Sequence, residues 1–192
     1  MSIICRYFDY LDVDSVIQEQ KAFGACRDVT LEYPVAENEG EEDNTYLSYN
    51  MVVGNAADSQ MAMAFEVLDY ALLSAPGAPL KQALLDVKAG KDVYGSYDDG
   101  ILQPYFTVIA KGSNPDRKEE FVSVIRQVLG DIVKNGIDRK AVEAGINYFE
   151  FRYREADFSS YPKGLMYSLD ILGDWLYEKG NTLCTGTAAY SF

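Results

Sequence analysis

The stretch from Asp58 to Asp86, DSQMAMAFEVLDYALLSAPGAPLKQALLD, decides the fold. Met61, Ala64, Phe65, Leu68 and Leu72 recur at steps of three and four, the spacing of one helix face. Met63, Val67 and Leu73 fall off that stripe, so the helix is apolar on more than one side. A helix of that kind sits inside a domain, with layers on both sides of it. Asp58 and Ser59 suit its N-terminal cap. Ala75-Pro76-Gly77-Ala78-Pro79 breaks it, because neither proline can donate a backbone hydrogen bond. A second helix then runs to Asp86.

Upstream, Thr45 to Gly54 (TYLSYNMVVG) alternates: Leu47, Tyr49, Met51 and Val53 on one face, Tyr46, Ser48, Asn50 and Val52 on the other. It predicts a strand whose second half is apolar on both faces and enters the core. Asp28 to Val35 (DVTLEYPV) alternates too, with Val29, Leu31 and Tyr33 on one side, and predicts a half-buried strand with Pro34 at its end. The intervening AENEGEEDN (36–44) carries five acids and reads as a solvated loop; its spacing matches no calcium-binding loop. Residues 1–27 read as a linker or inter-domain connection, with a short helix over Asp12–Gln20.

Downstream, Lys91 to Lys111 predicts a β-hairpin turning at Asp98-Asp99-Gly100, with Ile101 opening the return strand. Leu102, Phe106, Val108 and Ala110 would share one face. Asp116–Asn135 is amphipathic through Phe121, Val124, Ile125, Val128, Leu129, Ile132 and Val133. Ser113 or Asn114 would cap it, Pro115 suits its first turn and Gly136 closes it. Asp138–Asp157 predicts a helix striped by Val142, Ile146, Phe149, Tyr153 and Ala156. Phe158–Pro162 breaks the chain. Lys163–Lys179 follows, with Leu165, Leu169, Leu172 and Leu176 in register, and Gly180 ends it. Residues 181–192 form an irregular tail. The layout is α+β: a mainly antiparallel sheet with helices on one face.

The 192 residues suffice for one domain, which buries roughly 70% of its unfolded surface. No apolar run reaches transmembrane length, and the start lacks the basic and apolar regions of a signal peptide. Cys5, Cys26 and Cys184 are odd in number and widely spaced, which favours free thiols and a cytoplasmic setting. A formal charge of −13 repels nucleic acid and suits either plain solubility or attraction of cationic peptides.

YNMVVG (49–54), LLSAPGAPLKQALLD (72–86), YGSYDDGILQPYF (94–106) and NYFEFRYREADFSSYPKGLMYSLD (147–170) carry a resemblance. They are similar to a domain of the insulinase-like (pitrilysin-like) zinc metallopeptidases, in the branch that contains the presequence protease. In that family's catalytic domains the helix corresponding to Asp58–Ser74 bears an inverted zinc motif, His-x-x-Glu-His. Here Glu66-Val67-Leu68-Asp69-Tyr70 falls at that place, and the chain contains no histidine. The resemblance therefore implies a non-catalytic domain, the second of four, spanning 28–180 with an insulinase-like (LuxS/MPP-like) fold. It implies a role in walling a peptide-degrading chamber. The partners it implies are a catalytic domain, in the same or another chain, that holds the zinc, and a peptide substrate. The alternative is a stand-alone inactive homologue acting as an interaction or scaffold protein, homo-oligomeric in its simplest form.

The residues themselves argue against chemistry in this chain. Zinc prefers nitrogen and sulfur ligands, and Glu66 with Asp69 offers neither. A serine or cysteine nucleophile lacks its usual histidine base, and no phosphate-cradling glycine motif occurs. No catalytic or metal-binding residue is therefore assigned, no cofactor is expected in this chain, and the substrate-binding residues stay open. Neither nucleic acid nor membrane is an expected partner. Arg152, Tyr153 and Arg154 read more simply as a solvated helix face holding ion pairs than as a substrate clamp. Tyr46, Tyr49, Tyr94, Tyr97 and Tyr105 read as sheet packing before they read as a peptide-binding wall.

Overall fold

Alternation of large side chains along Thr45–Val52 builds the first strand, β1. The computed structural model describes residues 17–36, 40–56, 58–155 and 161–177. β2 (Asp92–Asp98) and β3 (Tyr105–Ser113) complete an antiparallel three-stranded sheet in the order β1-β3-β2. Register fixes the core face in three rows: Leu47, Ala110 and Val93; Tyr49, Val108 and Gly95; Met51, Phe106 and Tyr97.

The predicted long helix is present as α1 (Ser59–Asp69), which runs directly into a π-helical turn, Tyr70–Ser74. The Asp58 carboxylate caps α1, accepting the Met61 N–H at 3.0 Å. The π turn takes one residue more than an α turn, so Ala71, Leu72 and Leu73 are buried in succession. The Ala75–Ala78 break follows, then α2 (Pro79–Asp86), with proline in its first turn. After the sheet, α3 (Lys118–Asn135) opens from a short 3-10 turn at Pro115–Arg117 and ends at Gly136. Leu72, Leu73, Leu80, Leu84, Phe121 and Ile125 meet the sheet's inner face to form the core. α4 (Arg139–Glu155) begins beside Asp138, whose carboxylate accepts the Lys140 N–H, and packs against the outer side of α1. Two-sided burial was expected for α1 and holds from Val67 onward. Met61 and Ala64, at its first turns, lie exposed.

Gly95 marks the closest approach between helix and sheet. A side-chain carbon there would stand 2.2 Å from Leu73 Cδ1, 2.5 Å from Asp69 Oδ1 and 3.1 Å from the Thr107 carbonyl oxygen. Only a residue without Cβ lets Leu73 seat on β2.

Five expectations are corrected. Residues 28–35 form no strand: Leu31 is 84% exposed, while Asp28 pairs with Lys118 and Tyr33 lies edge-on to Tyr46 and donates to the Asn44 carbonyl. Alternation makes a strand only where a ladder partner is within reach, and this segment does not engage the edge of β1. Val52 is exposed, so β1 is covered on one face to its end. The expected turn at Asp98-Asp99-Gly100 is replaced by a six-residue connection, 99–104. Pro104 has no N–H to give a ladder, and its carbonyl accepts the Val53 N–H at 2.8 Å. Leu102 consequently lies in the loop, its carbonyl accepting from Ala56. The Asn114 side chain does not cap α3, because it is spent on Asp43, and Val133 is 85% exposed at the far edge of the stripe. Finally, α5 (Lys163–Leu176) exists, but Leu165, Leu169, Leu172 and Leu176 are about half exposed or more, and α5 packs closely on no other described element. The predicted helix over 12–20 lies mostly outside the described residues; 17–20 have no regular structure. The 181–192 tail, Ala156 and Gly180 also lie outside them.

Candidate functional site

The sequence places Glu66, Asp69 and Tyr70 at the end of α1, where the helix tightens into its π turn. The i, i+3, i+4 spacing gathers these three side chains near one end of the helix, between the sheet and α4. Each is engaged by a different neighbour. Glu66 Oε2 accepts the Tyr153 hydroxyl from α4 at 2.8 Å. Asp69 Oδ2 accepts the Ser74 hydroxyl at 3.4 Å, while its Oδ1 is buried against Gly95 with no hydrogen-bond partner among the described residues. The Tyr70 ring stacks on Tyr148, centroids 4.9 Å apart, and meets Phe149 edge-on.

Electrostatics follow from burial. Desolvation raises the Glu66 pKa; the Tyr153 hydrogen bond opposes it, the Asp99 and Asp69 charges add to it, and Arg152 pulls it down. Burial raises Asp69 in the same way, against the Ser74 hydrogen bond. Tyr97, stacked on Phe65 at 5.5 Å, is pushed up to about 12 by burial and by Asp99, Glu66 and Asp58. The surface around the end of α1 is thus a tyrosine-lined acidic patch that holds protons more tightly than free side chains do.

These residues do not fit zinc. The Tyr70 ring is committed to an aromatic stack, Asp69 Oδ1 is closed off by β2, and Glu66 is held by a phenol. Among the described residues no group of three or more His, Cys, Asp or Glu is placed to hold a metal. What the arrangement does instead is fasten α1 to α4 by one carboxylate–phenol bond and an aromatic cluster.

The Arg152-Tyr153-Arg154 run divides. Arg154 pairs with Glu150 on the solvated face of α4, as expected. Tyr153 turns inward to Glu66, in keeping with its place on the Val142, Ile146, Phe149 stripe and not with a solvated face shared with the two arginines. The 145/149/153 spacing sets it on the same face as the buried Gly145 and Phe149. Of the five strand tyrosines, Tyr49 and Tyr97 pack onto the core, whereas Tyr46 and Tyr94 are exposed on the outer sheet face. Tyr105, at the start of β3, donates to Asp98.

A second polar cluster lies at the opposite end of the sheet, where sequence reasoning saw only a solvated acidic loop. Asp43 and Asn114, 71 residues apart, exchange two hydrogen bonds of 2.9 and 2.8 Å, and Lys91 pairs with Asp43 at 3.4 Å. The Asn114 and Lys91 contacts hold the Asp43 carboxyl below its ordinary range.

Comparison with known proteins fits this geometry. The family model described as the peptidase M16 inactive domain matches residues 1–149. Protein HypA of Clostridium perfringens is 43% identical over 90% of the chain, and presequence protease 1, chloroplastic/mitochondrial, of Arabidopsis thaliana is 28% identical over 93%. The chain spans only 18% and 17% of the lengths of these two relatives. A solved inactive peptidase domain from Bordetella parapertussis shares the fold, with a TM-score of 0.56 at 13% identity over 76% of this chain and 84% of that one. The expected family and α+β architecture are thereby met, and so is the expectation of the family's non-catalytic domain. The chain belongs to the family of peptidase M16 inactive domains.

Proposed function

We propose that this domain walls the peptide-degrading chamber of a presequence-protease-like zinc metallopeptidase. Its catalytic partner, in the same or another chain, would supply the zinc and the hydrolytic residues. The single observation that carries this reading is the proportion of the match. Nine-tenths of the chain aligns with under a fifth of a presequence protease, as one part of a much larger machine would. The net charge of −13 supports it, because an acidic wall attracts basic peptides without cleaving them. The three cysteines support placing the domain in the reducing cytoplasm. The uncovered leucines of α5 favour a second reading, a self-associating scaffold. Sedimentation at micromolar concentration yielding monomer alone counts against that second reading.

The test begins with the coding DNA on both flanks, read for His-x-x-Glu-His. The encoded whole is then assayed on a fluorogenic basic peptide beside the 192-residue chain. The expected result is chelator-sensitive cleavage by the whole and none by the chain. Chelator-sensitive cleavage by the chain alone would overturn the proposal.

A further inference from the structure

At the end of the sheet remote from Glu66, the chain encloses a cleft of about 330 Å³. Its functional lining is Asp43, Lys88, Lys91, Ser113, Asn114 and Arg117. Close backbone packing shapes it: a side chain at Gly90 would approach the Lys111 carbonyl oxygen to 2.7 Å, and Gly112 turns at φ +69° over the Lys91 stem. In a chain of net charge −13 this lining is cationic, three bases against one carboxylate.

Most of the polar atoms are spoken for. Asp43 Oδ1 accepts from Asn114 and Oδ2 faces Lys91, so the one carboxylate is satisfied. Arg117 gives Nη1 to Glu120 at 2.7 Å, which leaves the rest of its guanidinium. Lys88 enters no ion pair among the described residues. The exception is Ser113. It is 2% exposed, it lines the cleft, and its hydroxyl has no hydrogen-bond partner among the described residues. A buried hydroxyl left unpaired is costly, so a site that keeps one needs an acceptor or donor from outside the chain.

We propose that this cleft binds a phosphate-class oxyanion, with Ser113, Lys88 and Arg117 as its donors and Lys91 as a supporting charge. The three donors line the cleft from different elements: β3, the α2–β2 loop and the start of α3. A tetrahedral anion can offer each of them an oxygen, whereas a carboxylate presents two oxygens in one plane. The volume exceeds what the anion alone fills and leaves room for an organic group attached to it. The site lies outside the acidic patch, so it stands whether or not the domain walls a protease chamber.

Thermal unfolding of the full 192-residue chain tests it, titrated with inorganic phosphate against chloride of equal ionic strength and against acetate. The expected result is a saturable rise in melting temperature with phosphate above that with either control. Lys88→Gln and Ser113→Ala should each weaken the apparent phosphate affinity about tenfold. Without phosphate, Ser113→Ala should melt at the wild-type temperature or higher, because it deletes an unpaired buried hydroxyl. A phosphate response no larger than that to chloride overturns the proposal, as does an unchanged response in both variants. Acetate acting as well as phosphate overturns the tetrahedral assignment. Should Ser113→Ala not fold, the surface variant Lys88→Gln decides alone.

Discussion

Gly95→Ala is the sharpest probe of how the helical layer seats on the sheet. The added methyl would lie 2.2 Å from Leu73 Cδ1 and 2.5 Å from Asp69 Oδ1, where contact distances are about 3.5 Å or more. Leu73 must therefore retreat by more than about 1 Å, and it is 1% exposed, with no space to turn into. The Thr107 carbonyl, at 3.1 Å, belongs to the central strand and cannot yield. Overpacking of this kind costs roughly 1–3 kcal/mol. Replacing glycine within a strand returns roughly 0.5–1 kcal/mol through the unfolded chain. The expected net loss is about 1–2 kcal/mol in urea unfolding, or several degrees in Tm. Leu73→Ala alone should cost about 2–5 kcal/mol by opening a cavity. The double variant should be more stable than the sum of the two losses by about 0.5 kcal/mol or more, because the alanine methyl then occupies vacated space. A Gly95→Ala protein as stable as wild type, or additivity in the cycle, would refute the seating of the π turn on β2.

Other predictions follow from the same contacts. Phe121→Ala, fully buried beneath the sheet, should cost about 3–5 kcal/mol by chemical denaturation, whereas half-buried Leu129→Ala should cost clearly less. Tyr153→Phe strands the Glu66 carboxylate and should cost about 1–3 kcal/mol, measured the same way at neutral pH. Glu66 has a folded-state pKa raised above its ordinary value of 4.5, so the folded protein holds that proton more tightly than the unfolded chain. Its contribution is fully present below about 4.5 and is lost as pH rises through the raised value. Glu66→Gln should therefore gain stability relative to wild type across that rise, seen as unfolding free energies that diverge between acidic and neutral buffer. A constant offset at all pH values would contradict the assignment.

The helices were legible because their periodicity is local: Phe121, Ile125 and Leu129 declare one face whatever surrounds them. The break at Pro76 and Pro79 was equally plain, since proline acts through its own backbone. The strand at 28–35 failed for the opposite reason. Its alternation is real, but a ladder is made by two segments, and the sequence of one cannot supply the other's edge. Pro104 did carry the information that lengthens the hairpin loop, and the stronger Asp-Gly signal masked it. The Glu66–Tyr153 bond and the Asp43–Asn114 clasp join residues 87 and 71 positions apart, so no window along the chain contains them. That Glu66 stands near the end of a helix, just before a small-residue turn, was legible. That its carboxylate binds a phenol could be read only from the packing of α4.

The uncovered stripe of α5 has a consequence for the chain as a colloid. Molecules carrying thirteen excess negative charges repel one another at low ionic strength, and that repulsion holds their leucine faces apart. At about 0.15 M salt the field decays within roughly 8 Å, shorter than the stand-off it must maintain. If the self-associating reading holds, dilute buffer would keep apart surfaces that physiological salt lets approach, and the two forces on one helix would set the concentration at which single molecules begin to pair.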